Sequence, residues 1–219
     1  MINTAVIMAA GNGSRLYPIS KYIPKPLIEI DGKPLIVHCI DELKRNGINN
    51  IYVTYGYKSD LIISNIANKV AGFINTTNFN NAYFIFNTII KNINENILIL
   101  PCDIVFDLNI NKLNEEIKTN GSYIVPIEYK SGMDSDYIKF DKNKNIKSID
   151  RKNKTEYCAS GIQICNPFEI NKILKTADNW YEIWNFLIEK EKLFATNLIL
   201  EKWKTYDTID QILKHHESS

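Results

Sequence analysis

The segment behind the first predicted strand constrains this chain most. Ala5-Val6-Ile7-Met8-Ala9 is a short apolar run, as suits a strand buried on both faces of a parallel sheet. Gly11, Gly13, Pro18, Pro24 and Pro26 then fall within sixteen positions, so no regular element runs through them. A long, breaker-rich loop directly after a first strand is usually functional.

Regular structure resumes at Leu27-Ile28-Glu29-Ile30, turns at Asp31-Gly32, and enters a helix with Pro34 at its first position. Ile36, Ile40 and Leu43 share one face of that helix, and Gly47 stops it. Ile51-Tyr52-Val53-Thr54-Tyr55 predicts the next strand, with a helix through Leu61, Ile62, Ile66 and Val70 behind it. Strand, helix, strand implies a right-handed crossover and a parallel sheet. A helix over 80–92 precedes Ile97-Leu98-Ile99-Leu100-Pro101-Cys102-Asp103, an apolar strand that ends in a carboxylate. In open α/β sheets ligands bind beyond the carboxyl ends of the strands, so Asp103 and the glycine loop are expected to face one crevice. Beyond Gly121, runs at 123–127, 137–140 and 160–164 predict strands that extend the sheet and build a substrate wall. Helices over 167–176 and 180–191, strands near 194–200 and 203–207 and a last helix follow. No repeat or linker divides residues 1–219, which read as a single domain.

Charge narrows the partners. Twenty-six basic and twenty-five acidic side chains give +1 with no block of like charge, which argues against nucleic acid and anionic membranes. Any anion must therefore be gripped locally. No run reaches the length of a membrane span and the N-terminus lacks a signal-peptide layout, so a cytoplasmic protein is expected. Cys39, Cys102, Cys158 and Cys165 form no CxxC pair and read as buried small hydrophobes. His38, His215 and His216 have no zinc-site spacing.

The loop itself, Ala9-Ala10-Gly11-Asn12-Gly13-Ser14-Arg15-Leu16, is built for a phosphate. Glycines let backbone come close to an anion, and successive N–H groups form an anion-binding nest. Arg15 adds a forked, permanently charged donor, and Lys25, in Pro24-Lys25-Pro26-Leu27, adds a compact charge from a second side. Leu16 stands where a dinucleotide fingerprint needs its third glycine, and the P-loop ending is absent.

These residues resemble the sugar-phosphate nucleotidyltransferase family, whose signature is GxGxRL followed by a PKPL-like segment. The likeness extends to Gly56-Tyr57, Asp103, Ser160-Gly161 and Tyr206-Asp207-Thr208. It implies a Rossmann-like, mostly parallel mixed α/β sheet flanked by helices, and transfer of a nucleotidyl group with release of pyrophosphate. By this resemblance Arg15 and Lys25 are catalytic, Mg²⁺ is the cofactor, and Asp103 and Asp207 hold it. Ala9, Ala10, Gly11, Asn12, Gly13, Ser14, Gly56, Asn80, Asn81 and Pro101 are the expected nucleotide contacts. Read without the family, Asp103 caps a turn and Asp207 caps the last helix.

The choice of substrates rests on two further stretches. Hexose-1-phosphate members carry a Gly-Thr-Ala-Gly-like segment where this chain has Asn78-Phe79-Asn80-Asn81-Ala82, which looks more like the choline-phosphate cytidylyltransferase branch. CTP is therefore the expected nucleotide, with Asn80 or Asn81 offered to a pyrimidine edge, or Asn80 serving only as a helix cap. Trp180, Tyr181, Glu182 and Trp184, with Ser160 and Gly161, are the expected contacts of a small phosphorylated acceptor such as a phospho-amino-alcohol. Trp180, Trp184 and Leu187 equally fit a core-facing helix stripe. A hexose- or heptose-1-phosphate enzyme using UTP, dTTP or GTP, and a silent nucleotide-binding module, remain as alternatives. Monomer and homodimer are both open.

Overall fold

Alternate residues of the first strand serve two cores. In β1 (Thr4–Met8), Ala5 and Ile7 enter one hydrophobic cluster and Val6 another. Successive side chains of a strand point to opposite faces, so a run apolar throughout needs cover on both. The structure, a computed structural model, describes residues 1–118 and 121–217.

Behind β1, 3₁₀ turns at Ser14–Leu16, Ile19–Lys21 and Lys25–Leu27 punctuate the loop. A small hairpin of β2 (Glu29–Ile30) and β3 (Lys33–Pro34) leads into α1 (Leu35–Arg45), followed by β4 (Asn50–Tyr55), α2 (Ser59–Ile66) and β5 (Gly72–Asn75). Next come α3 (Tyr83–Asn87), β6 (Ile97–Pro101), β7 (Ile104–Phe106) and α4 (Ile110–Glu116). The second half holds β8 (Ser122–Glu128), β9 (Tyr137–Phe140), β10 (Ile146–Asp150), β11 (Tyr157–Cys165), α5 (Pro167–Ile173), α6 (Trp180–Glu189), β12 (Leu193–Ala195), β13 (Trp203–Thr205) and α7 (Ile209–Glu217).

The main sheet runs β10-β9-β11-β6-β1-β4-β5, with β8 between β11 and β12. β1 is parallel to β4 and β6, β4 is parallel to β5, and β11 is antiparallel to β6, so the sheet is mixed with a parallel centre. Ile36, Ile40 and Leu43 of α1 and Ile62 and Ile66 of α2 cover one face. Phe84 of α3 and Trp180, Ile183 and Leu187 of α6 cover the other. β11 forks where its register shifts between Ala159 and Gln163, and Gly161 makes the kink. Its φ is +87°, and a Cβ there would lie 2.9 Å from Pro101 at the end of β6.

Several boundaries differ from the expected ones for local reasons. Pro34 is paired with Glu29 in the hairpin, so it caps α1 rather than filling its first turn. Val70 lies beyond α2, and β5 follows it. The expected helix over 80–92 is broken at Thr88, whose extended backbone and hydroxyl bond to Phe84 O (2.7 Å) separate α3 from a 3₁₀ turn at Ile89–Asn92. The strand expected over 194–200 is short because the Glu116 carboxylate takes the amides of Asn197 and Leu198 away from the ladder. β7, α4 and β10 add to the expected elements. Among the described residues no helix is long and apolar enough to cross a membrane.

Candidate active site

The carboxyl ends of β1, β4 and β6 meet at one crevice, and close backbone approach there dictates glycine. Gly13 has φ +63°, a left-handed conformation that strains other L residues, and a Cβ on it would lie 3.0 Å from Lys25 Cβ. The glycine thus lets the loop pack directly on the lysine segment. A Cβ on Gly56 would lie 2.9 Å from Ala10 O, and Tyr57 N donates to that same carbonyl (3.2 Å). Ala9 N is fixed by Thr54 O and Oγ1. Ser14 N donates to Asn12 Oδ1 (3.3 Å), whereas the amides of Gly11, Asn12 and Gly13 donate to no protein group among the described residues.

Two carboxylates far apart in sequence converge on one ammonium. Tyr206 N donates to Asp103 O (2.9 Å), extending the β13–β7 pairing and setting Asp207 beside Asp103. Lys25 Nζ binds Asp103 Oδ2 and Asp207 Oδ1 together, and Arg15 Nη2 reaches Asp207 Oδ1 at 3.0 Å. Lys25 and Asp103 are each 13% exposed and Arg15 55%, so the arginine faces solvent while the lysine pair is screened from it. Burial opposes the charge of Lys25, but the carboxylates of Asp103 and Asp207 outweigh it and hold its pKa above the ordinary value. Burial pushes the Asp103 carboxyl above the usual carboxylate range despite Lys25. Burial acts on Asp207 in the same sense, yet Lys25 prevails and keeps it below that range. Asp207 is not the helix cap: Thr208 Oγ1 accepts from Gln211 N, while Gln211 Oε1 accepts from the amides of Asp207 and Thr208.

A trough of about 250 Å³ runs between these charges and Gly11, Asn12, Gly13, Ser14 and Pro101. It adjoins a cleft of about 510 Å³ that shares Met8, Gly11 and Asn12 and adds Ala10, Gly56, Thr76, Phe79, Asn80 and Asn81. The side chain of Asn80 caps nothing, since α3 starts behind Ala82 without a side-chain cap. Asn81 Oδ1 accepts from Trp180 N (3.3 Å) and so ties the cleft to α6. Phe79, half exposed, stacks on Tyr83 with centroids 3.8 Å apart and planes 8° from parallel.

The expected acceptor residues divide. Trp180 is 4% exposed and packs on Phe84 in the core, because α6 turns its apolar stripe to the sheet. Glu182 accepts from the backbone of Asp178 and the side chain of Asn179, so it serves as the helix cap partner. Ser160 is buried with its hydroxyl donated to Val125 O, and Gly161 packs on Pro101, so this pair shapes the β11 kink. Trp184 is partly buried, its Nε1 on Gln163 Oε1 (2.9 Å), and meets Tyr181 edge-on at 5.2 Å. The Tyr181 hydroxyl donates to Asp136, which also takes Arg151 Nε at 3.0 Å. Burial, then Asp136, pushes the Tyr181 phenol upward. Asp134 lies 3.6 Å from Arg151 and 4.0 Å from Arg15, linking this group to the charge centre. Asp134, Asp136 and Arg151 are site neighbours that the sequence reading did not single out. The available signal was two carboxylates at the entry to the strand beginning at Tyr137.

A sequence model of the family described as nucleotidyl transferase matches residues 4–214. The chain belongs to that family. It is 41% identical over 68 residues to the UTP–glucose-1-phosphate uridylyltransferase of Haloferax volcanii, covering 31% of this chain and 28% of that protein. It is 47% identical over 53 residues to the choline-phosphate cytidylyltransferase of Streptococcus pneumoniae, covering 24% and 23%. The matched stretches thus span well under two thirds of these relatives. Among solved structures, the CTP:phosphocholine cytidylyltransferase of Streptococcus pneumoniae superposes with a TM-score of 0.80 at 19% identity, covering 100% of this chain and 99% of that one. The inositol-1-phosphate CTP transferase of T. maritima gives 0.77 at 15% identity over 98% and 94%. Both show the same fold, a mostly parallel mixed sheet flanked by helices.

Proposed function

We propose that residues 1–219 act as one nucleotidyltransferase unit that joins a nucleoside triphosphate, CTP by preference, to a small phosphorylated acceptor and releases pyrophosphate. The observation that carries this reading is the convergence of Arg15, Lys25, Asp103 and Asp207 beside three undonated loop amides. In-line attack of one phosphate on another needs positioning and charge neutralisation rather than a covalent intermediate. Here the loop amides of Gly11 to Gly13 would hold the triphosphate, Lys25 its α-phosphate and the incoming phosphate, and Arg15 the departing pyrophosphate. Asp103 and Asp207 fit a divalent cation, since two carboxylates already converge on one cationic atom and hard cations take oxygen ligands. When bound there, Mg²⁺ supplies charge neutralisation at the phosphates.

CTP is supported by the asparagine-rich cleft, where Asn80 is free of capping duty, and by the stretch of likeness to a cytidylyltransferase. A phospho-amino-alcohol acceptor is supported by Asp136, Tyr181 and Trp184, a carboxylate beside two aromatic rings. One observation favours the sugar-phosphate reading instead: Arg151 already neutralises Asp136, leaving mixed donors and acceptors suited to hydroxyl groups.

Pyrophosphate release with Mg²⁺, measured across CTP, UTP, dTTP, GTP and ATP against phosphocholine, phosphoethanolamine and hexose 1-phosphates, tests both. Turnover with CTP and an amino-alcohol phosphate is expected. Turnover only with a sugar phosphate would overturn the acceptor and nucleotide assignment. Nucleotide binding without turnover on any acceptor would favour a binding module.

A further inference from the structure

Phe84 and Phe86 enter the core, whereas Phe79, in the same stretch of chain, stays 54% exposed. Its ring is nevertheless not loose. Tyr83 stacks on it with centroids 3.8 Å apart and planes 8° from parallel, so one face is covered. The part that Tyr83 leaves open lines the cleft of about 510 Å³ beside Asn80, whose side chain caps nothing.

The turn that presents Phe79 is anchored to the sheet. Thr76 N (3.0 Å) and Thr76 Oγ1 (3.3 Å) both donate to Tyr55 O at the end of β4, and Phe79 N donates to Thr76 O at 3.1 Å. Thr77 N is held by Asn75 Oδ1 at 2.9 Å. Asn78 completes the turn with φ +63°, a left-handed conformation that asparagine tolerates better than most residues. A flat apolar surface is therefore fixed to the end of the strand that leads into Gly56, the residue packed on Ala10 in the same cleft. The cleft and the trough share Met8, Gly11 and Asn12, so a polyphosphate on the loop amides continues, at its nucleoside end, into the space that Phe79 lines.

We propose that Phe79 is the stacking platform for the nucleobase, with Tyr83 as the positioning residue that holds its ring flat. This deepens the nucleotidyl-transfer reading and rests on it. Base–aromatic stacking serves every base, since each has a π-face, and so contributes affinity while leaving the choice of base to polar groups such as Asn80 at the base edge. Tyr83 restricts the ring in advance, so less freedom is lost when a base arrives.

Calorimetry with Mg²⁺ and no acceptor compares a nucleoside triphosphate, CTP or whichever of UTP, dTTP, GTP and ATP binds tightest, with inorganic tripolyphosphate, which has no base. Phe79→Ala, checked for an unchanged melting temperature, is expected to weaken the nucleotide about tenfold or more, the scale of one lost stack, and to leave the tripolyphosphate Kd unchanged. Phe79→Trp keeps a flat ring and is expected to restore nucleotide binding. Tyr83→Ala is expected to weaken the nucleotide by less than Phe79→Ala, again without moving tripolyphosphate, and Tyr83→Phe to leave both unchanged. Nucleotide binding that Phe79→Ala leaves intact, or a loss shared equally by tripolyphosphate, would overturn the platform while the nucleotidyl-transfer reading stands. An inert Tyr83→Ala would overturn the positioning role. A wild type that binds tripolyphosphate as tightly as every nucleoside triphosphate would show that no base is gripped, and one that binds neither would overturn the nucleotidyl-transfer reading and the platform together.

Discussion

Replacing Lys25 with methionine separates a charge-balanced centre from a fortuitous cluster. Arg15 and Lys25 offset Asp103 and Asp207, and Lys25 is the member in contact with both carboxylates. With Lys25, Asp103 and Asp207 at 13%, 13% and 23% side-chain exposure, water screens the lost attraction poorly. Removing one partner of a buried ion pair costs about 3–5 kcal/mol, because the other charge stays buried. With a urea slope of about 2 kcal/mol/M, the unfolding midpoint should fall by about 1.5–2.5 M. Asp103→Asn in the Lys25→Met background removes part of the uncompensated charge, so the double variant should lose less than the sum of the single losses, with a coupling of about 0.5–3 kcal/mol. Urea unfolding of the wild type, both single variants and the double variant closes the cycle. Losses that add to within about 0.3–0.5 kcal/mol would refute the idea that these groups form one electrostatic unit.

Three further outcomes follow from other contacts. Gly13→Ala should cost about 1–2 kcal/mol for its left-handed φ and should also lower pyrophosphate release, since its Cβ meets Lys25; denaturation and turnover assays read the two effects separately. Trp180→Ala should cost about 3–5 kcal/mol as a core truncation, read by urea unfolding, whereas Tyr181→Phe should leave the midpoint nearly unchanged and act on acceptor KM. All four thiols are buried, and burial pushes Cys158 up to about 11 and Cys165 up to about 12; native protein at pH 8 should therefore show no fast reaction with a disulfide reagent, and denaturant should expose four thiols.

The parallel centre of the fold was legible because fully apolar runs such as 5–9 and 97–102 have few alternatives to a doubly covered strand. The phosphate trough was legible because glycine, arginine and lysine announce their chemistry and the family pattern joined Asp207 to Asp103. Trp180 and Trp184 were not separable by spacing, since one helix turn divides core from wall and only the docked angle of α6 decides between them. Asp136 and Arg151 were missed for a related reason: the β9–β10 hairpin sets them side by side, but only the docking of α6 brings Tyr181 onto Asp136. Thr88 ended α3 early through a hydroxyl bond that competes with the helix, an effect too local for hydrophobic periodicity to reveal.

The ammonium of Lys25 and the carboxylate of Asp207 meet across 182 residues of chain. Closing so long a loop is entropically unfavourable until the sheet between them exists to guide the ends together. The Lys25–Asp207 contact is thus among the most nonlocal in the fold, and it depends on the strands between its ends being in place. A chain in which residues 203–207 have not yet paired with β7 therefore lacks one of the two carboxylates that meet Lys25, and the charged centre is complete only when both ends of that long loop are in place.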